Sequence, residues 1–460
     1  MSREFAGQSI LVWGAARSGL AAAALLRPIA SEVVLADDAP REKVAPAVHA
    51  ALGDIPLFAQ GEFDRPLSSF DLVVVSPGVP ANHPRLLQAH AARVPVLSEL
   101  EVGARFTEAR LIAVTGTNGK TTVTALTAHL LGGEEQRVFA AGNVGRAICD
   151  AVRRPEAQSR EATLVLEVSS FQCEHLDRFH PAIAAVLNLR PDHLDRHGDM
   201  DSYRAAKAQL GCNLMNSDHV IVNADDPGAL EVVRNWRGER TAFSLRRRPK
   251  LGAFLDGDAL VFDDGTRTET LLRRSDLRLP GEHNVANALA AAAIARRCAV
   301  RCEEIAARCR TFRGVPHRIE WVANDRGVDY FNDSKATNLD SLTTALASFT
   351  RPLILIAGGR PKGEDYTSAN DLIREHVRHL IVIGEAAEAM ERAWGGIIPT
   401  QCAASFSEAI ELARASARPG DAVLLSPACA SFDMFRNYED RGDQFRETVQ
   451  SLAAAREVAP

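Results

Sequence analysis

The stretch Val114-Thr115-Gly116-Thr117-Asn118-Gly119-Lys120-Thr121-Thr122 has the residue types that hold a phosphate chain. Its glycines let successive backbone N–H groups turn inward, Lys120 supplies a point charge, and the Thr121 hydroxyl reaches a magnesium ion. The full G-x-x-x-x-G-K-[ST] spacing is not met, because Val114 stands where the first glycine belongs. An ordinary glycine-rich turn is the alternative, but Lys-Thr after the glycine and the flanking strand and helix patterns favour a phosphate loop.

Further on, Leu166-Glu167-Val168-Ser169-Ser170 closes an apolar run, so Glu167 stands beside that loop as a magnesium ligand or as a solvated strand-end acid. The segment NLRPDHLDRHG at 188–198 crowds Asp192, His193, Asp195 and His197 together. Two histidines four apart on one helix face could bind a transition metal. Without an H-E-x-x-H pattern or a cysteine cluster in support, one histidine in a magnesium shell is the better reading.

Two later polar loops, 332–338 (NDSKATN) and 358–363 (GGRPKG), each follow an apolar run, where α/β sheets place ligands. A second lysine-bearing loop in a separate domain points to closure over an anionic substrate or nucleotide, although surface loops fit the same spacing. Near the start, Gly14-Ala15-Ala16-Arg17-Ser18-Gly19 is a dinucleotide-type loop whose middle glycine is Ala16, followed by Asp37 and Asp38 at the next strand end. The altered glycine crowds a pyrophosphate. A nucleotide site without hydride chemistry is therefore expected.

Elements must hold these groups in place. Short apolar runs alternate with amphipathic stretches, the pattern of parallel sheets covered by helices. Strands are expected at 9–13, 33–36, 71–75, 111–114, 163–166, 183–187, 220–222, 329–331, 353–357, 379–383 and 422–425. Helices are expected at 18–27, around 98–106 and at 285–298, with a small antiparallel insertion within 246–274. The fold class is α/β in three domains: a Rossmann-like domain over 1–109, a central P-loop ATPase-type domain with a mainly parallel sheet over 110–312, and a C-terminal Rossmann-like αβ domain over 313–460.

The 460 residues suffice for about three domains. A net charge of −6 gives no general attraction to polyphosphate, so nucleic acid is not an expected partner. Eight scattered cysteines without a Cys-x-x-Cys pair read as reduced thiols; Cys298, Cys302 and Cys309 fall in helix-like sequence and lack a zinc pattern. No basic-then-apolar leader opens the sequence and no apolar run approaches the roughly 20 residues of a membrane span. A cytoplasmic protein is expected.

The segments GTNGKTT, GNVG (142–145), LEVSSFQ, RPDHLDRHG, YRAAK (203–207), GEHNVANALAA, GVPHRIE, NDSKATN and SPACASFDMFRNYEDRG resemble, in order and spacing over nearly the whole chain, those of the Mur ligases. The resemblance implies ATP-dependent ligation of D-glutamate to UDP-N-acetylmuramoyl-L-alanine through an acyl phosphate, with two magnesium ions, in a monomer. It implies that Gly116, Thr117, Asn118, Gly119, Lys120, Thr121 and Thr122, with Asn284, Asn287, Arg318 and Asp333, bind ATP. Thr121 and Glu167 would hold one magnesium ion and His193 the other, aided by Lys207, the lysine found carbamylated in the family. Lys120, His193 and Lys207 are the catalytic candidates. Arg17, Ser18, Asp37, Asp38, Ser76 and Asn143 fall in the uridine-nucleotide region, and Lys335, Thr337, Lys362, Ser431 and Tyr438 match the glutamate pocket. A ligase adding L-glutamate, another Mur ligase and a folylpolyglutamate synthase are the nearest rivals; SPACASFDMFRNYEDRG speaks against the last two. The retained Lys120, Glu167, His193 and Lys207 speak against a non-catalytic nucleotide-binding protein.

Overall fold

The computed structural model describes residues 3–457. The first five strands, β1 (Ser9–Trp13), β2 (Glu32–Ala36), β3 (Leu57–Phe58), β4 (Leu72–Val75) and β5 (Val96–Ser98), form a parallel sheet in the order β3-β2-β1-β4-β5. Ile10, Leu11, Val12 and Val74 are wholly buried, as expected of parallel strands covered on both faces. Each such side chain contributes roughly 1.5–3 kcal/mol of hydrophobic stabilisation. The order reverses between β1 and β4, so their carboxyl ends open a crevice.

Nine strands follow: β6 (Arg110–Thr115), β7 (Val138–Gly142), β8 (Thr163–Glu167), β9 (Ile183–Val186), β10 (His219–Asn223), β11 (Glu239–Ser244), β12 (Gly252–Asp256), β13 (Ala259–Asp263) and β14 (Thr268–Arg273). Their order is β14-β13-β12-β11-β10-β9-β6-β8-β7, parallel from β7 to β12 and antiparallel beyond. The antiparallel segment foreseen within 246–274 thus extends the central sheet, because β12 pairs in parallel with β11.

The last sheet comprises β15 (Glu320–Asp325), β16 (Val328–Asn332), β17 (Leu353–Gly358), β18 (Val377–Ile383), β19 (Thr400–Cys402) and β20 (Ala422–Leu425), in the order β15-β16-β20-β17-β18-β19. Only the β15–β16 hairpin is antiparallel. The chain forms two compact units, Met1–Arg274 with Ala286–Cys309, and Ser275–Val285 with Arg310–Pro460. The first two sheets share the first unit. Among the described residues no helix is long and apolar enough to cross a membrane.

A short helix, Glu99–Ala104, joins the first sheet to the second, capped by the Ser98 hydroxyl, which accepts the Glu101 N–H. Glu101 is wholly buried and accepts the backbone N–H groups of Asp177, Arg178 and Phe179 at 3.0, 3.1 and 2.9 Å, with Arg105 Nε at 2.7 Å. A buried charge needs such saturation, and removing it strands several donors at once. The junction is consequently fixed by a buried carboxylate that no sequence motif marks out.

Candidate functional site

The phosphate loop leaves β6 and enters the helix Lys120–Leu130. Gly119 has φ +86°, and a Cβ there would stand 2.4 Å from Asn287 Oδ1, so only glycine fits. Asn188, just past β9, braces the loop: its Oδ1 accepts the N–H groups of Thr117 and Asn118 at 3.0 and 2.8 Å, and its Nδ2 donates to the Asn118 carbonyl. Lys120 Nζ donates to the carbonyls of Gly116 and Thr117 at 3.0 and 2.7 Å. Thr121 and Thr122 lie half-buried in the first helical turn.

A buried amine and a buried carboxyl group flank this loop. Lys207 on the helix Met200–Ala208 is 1% exposed and donates to Thr115 Oγ1 at 3.3 Å and the Gly116 carbonyl at 3.1 Å. Burial, reinforced by repulsion from Lys120, pushes its amine down to about 7. Its ammonium lies 4.8 Å from the Tyr203 ring centroid, and the Tyr203 hydroxyl is 3.2 Å from Thr117 Oγ1. Glu167 ends β8 and is 2% exposed; Oε1 accepts Asn143 Nδ2 at 3.2 Å, while the buried Oε2 finds no hydrogen-bond partner among the described residues. An orphaned carboxylate oxygen beside a phosphate loop fits a hard cation.

The two histidines of the 188–198 segment part company. His193 caps the helix Leu194–His197 in a left-handed conformation, φ +53°, half exposed with its ring 5.0 Å from Phe171. His197 turns inward, Nε2 meeting Ser170 Oγ at 2.9 Å and Nδ1 lying 3.4 Å from Glu174. With both His197 nitrogens engaged, a paired transition-metal site on one helix face has no geometric support. The side chain of Asp195 lies outside the described residues.

At the reversal of the first sheet, Trp13, Gly14, Arg17, Ser18, Asp38, Ser76 and Asn143 border a cleft of about 520 Å³. Asp37 also borders it, but its carboxylate serves the backbone, accepting the N–H groups of Ala15 at 2.6 Å and Ala39 at 2.8 Å. Ser76 Oγ likewise donates to the Gly14 carbonyl at 2.8 Å. Asp38 is the exposed acid, held at Oδ2 by Trp13 Nε1 at 3.4 Å and His83 Nε2 at 3.1 Å. Arg17 donates to the Asn143 carbonyl.

In the second unit, Asp333 follows β16 and accepts Ser426 Oγ at 2.8 Å and the Ile319 N–H at 3.2 Å. Burial pushes its carboxyl up to about 7 against those bonds and the nearby Arg318. The Lys335 N–H donates to the His317 carbonyl, and Lys362 Nζ donates to Thr337 Oγ1 at 3.3 Å, so the two polar loops meet. Ser431 is buried, and the Tyr438 ring stands edge-on to His317 at 6.0 Å. Asn284 donates to the Pro280 carbonyl at 2.6 Å. Arg441, not singled out in the sequence, is buried and ties Ser334 to the Cys429 carbonyl. Tyr203, Asn188 and Arg441 stood in or beside legible motifs, but their partners are brought in from loops distant in sequence.

The sequence matches the Mur ligase middle domain over residues 114–295 and the Mur ligase glutamate ligase domain over 317–429. It is 41% identical to the UDP-N-acetylmuramoylalanine--D-glutamate ligase of Pelotomaculum thermopropionicum, covering 98% of this chain and 99% of the other. The enzyme of that name from Koribacter versatilis is 38% identical, covering 97% and 98%. Among solved structures, the UDP-N-acetylmuramate-alanine ligase of Thermotoga maritima aligns with a TM-score of 0.55 at 19% identity, covering 96% and 99%, a likeness of fold.

Proposed function

This chain belongs to the Mur ligase family, and on that footing we propose that it is an ATP-dependent ligase joining D-glutamate to UDP-N-acetylmuramoyl-L-alanine in the cytoplasmic synthesis of peptidoglycan precursors. The observation that carries the chemistry is the grouping of Lys120, Lys207 and the half-satisfied Glu167 around one phosphate loop. The named relatives supply the substrates.

The substrate carboxylate attacks the γ-phosphorus of ATP, ADP leaves, and an acyl phosphate forms; the glutamate amine then adds to the acyl carbon and phosphate departs from the tetrahedral intermediate. Two anions must approach before any bond forms. The loop N–H groups beyond Asn118 take up phosphate oxygens, and Lys120 exchanges its carbonyl partners for them, stabilising charge as it shifts to the leaving ADP. Thr121, Glu167, His193 and a carbamylated Lys207 are the residues that would hold two magnesium ions, which when bound neutralise charge between carboxylate and triphosphate. Lys207 is suited to carbamylation: an amine titrating near 7 is substantially neutral at cellular pH, and its lone pair adds to CO₂ with release of a proton.

Arg17, Ser18, Asp38 and Ser76, with Asp37 shaping the loop and Asn143 at the inner edge, take the uridine nucleotide. Asn287 of the first unit, and Asn284, Arg318 and Asp333 of the second, are assigned to ATP. Lys335, Thr337, Lys362, Ser431 and Tyr438 offer cations and hydroxyls to the two carboxylates of glutamate. The functional modules are 1–109, 110–312 and 313–460, and the enzyme acts as a monomer. The test is phosphate release from ATP, which should require both UDP-N-acetylmuramoyl-L-alanine and glutamate, with D- and L-glutamate run side by side. Lys120→Ala should lower turnover by about 100-fold or more. Absence of phosphate release by the wild type with all three substrates and magnesium would refute the proposal.

A further inference from the structure

We infer that Arg196 is a positioning residue for the sugar nucleotide, holding the loop after β4 as a wall of the cleft through the carbonyls of Gly78 and Val79. The inference rests on the proposed assignment of that cleft to UDP-N-acetylmuramoyl-L-alanine.

The loop begins where β4 ends. Ser76-Pro77-Gly78-Val79 closes as a turn, with the Val79 N–H donating to the Ser76 carbonyl at 3.0 Å and Pro77 at its first central position. Ser76, Gly78 and Val79 all border the cleft. The Ser76 hydroxyl ties the start of the turn to the Gly14 carbonyl at 2.8 Å. Its far end is held from outside the first sheet. Arg196, on the short helix Leu194–His197, donates from Nη1 to the Gly78 carbonyl at 3.1 Å and from Nη2 to the Val79 carbonyl at 3.2 Å. Among the described residues, both hydrogen bonds of the guanidinium go to this loop.

The guanidinium is itself aimed. Its carbon lies 4.3 Å from the centroid of the Phe171 ring, and the His197 ring stacks on Phe171 at 5.1 Å with 9° between the planes. A planar cation resting on an aromatic face loses little freedom when its fork meets two consecutive carbonyls. Two consequences follow for the cleft. Carbonyl dipoles in the wall would repel an entering diphosphate, and a cation spanning two of them offsets that repulsion. The wall also stands in place before the ligand arrives, so binding does not have to supply the ordering of 76–80. By sequence Arg196 belongs with His193, three residues before it; by its bonds it belongs with the cleft.

Arg196→Met keeps a stem over Phe171 and removes both donors. In the full-length protein, affinities for UDP-N-acetylmuramoyl-L-alanine and for β,γ-imido-ATP with Mg²⁺ are measured separately by calorimetry, and amide exchange over 76–83 is followed by mass spectrometry. The variant should lose about tenfold or more in sugar-nucleotide affinity, the worth of one charged hydrogen bond, and hold the Mg²⁺ nucleotide within about threefold. Exchange over 76–83 should quicken. Arg196→Lys, able to reach one carbonyl, should fall between the wild type and Arg196→Met. Unchanged sugar-nucleotide affinity in Arg196→Met overturns the inference, and a lysine variant no better than methionine does the same. An equal or larger loss for the Mg²⁺ nucleotide also overturns it, because Arg196 would then support the helix of His193. Should Arg196→Met fail to fold, Arg196→Lys must show the selective loss by itself or the inference is lost. A wild type that binds no UDP-N-acetylmuramoyl-L-alanine would instead refute the assignment of the cleft, and this inference would fall with it.

Discussion

Glu99, at the start of the helix joining the first two sheets, is 1% exposed. One of its oxygens accepts the Cys149 N–H at 2.7 Å, and Oε2 finds no partner among the described residues. Burial pushes its carboxyl from an ordinary 4.5 up to about 7. Between those values the folded chain holds a proton that the unfolded chain has released. The stability this contributes is complete below pH 4.5 and is lost as pH rises through the folded value. Integrated from pH 5 to pH 8, the loss is about 2–3 kcal/mol. Glu99→Gln keeps an acceptor for Cys149 and cannot ionise, so its stability should lack this component. Amide hydrogen exchange read by mass spectrometry over 97–104 and 147–152, corrected for intrinsic rates, gives the local opening free energy without assuming that the two units unfold together. The wild type should lose about 2–3 kcal/mol more than the variant across that pH range. Parallel losses in the two proteins would mean that Glu99 ionises at no cost, and the reasoning from burial would be wrong.

Gly119→Ala should abolish nucleotide binding in a calorimetric titration, because the added methyl meets Asn287 at 2.4 Å in a backbone conformation that itself costs roughly 1–2 kcal/mol for an L-residue. Depleting bicarbonate at pH 6 should depress turnover reversibly, since more of Lys207 is then protonated and less CO₂ is available to it; indifference to both conditions in a steady-state assay would count against a carbamate.

The sheets were readable where strands are buried on both faces, because β17 and β20 are unbroken apolar runs and β1 and β8 carry polar residues only at their ends. Edge strands were not. The β15 segment, EWVAND, mixes polar and apolar residues, and the two-residue β3 is too short to show a period. The loop at 116–122 stood out in the sequence because its glycines, lysine and threonines are consecutive. Asp37 and Asp38 read as equivalent ligands, and only the fold reveals that the first is occupied by Ala15 and Ala39. The spacing of His193 and His197 left a paired site open as the weaker reading; in the fold the helix starts at His193 with a left-handed backbone, and His197 faces Ser170. Glu101 was the least legible: nothing in its neighbourhood of sequence announces that its ligands are the amides of 177–179.

The Glu101 clamp makes the first unit behave as a caliper. Its jaws are the cleft at Arg17 and the loop at Lys120, and a carboxylate saturated by three amides and an arginine braces the helix that joins their two sheets. A molecule anchored in the first jaw reaches the second only if it has the right contour length.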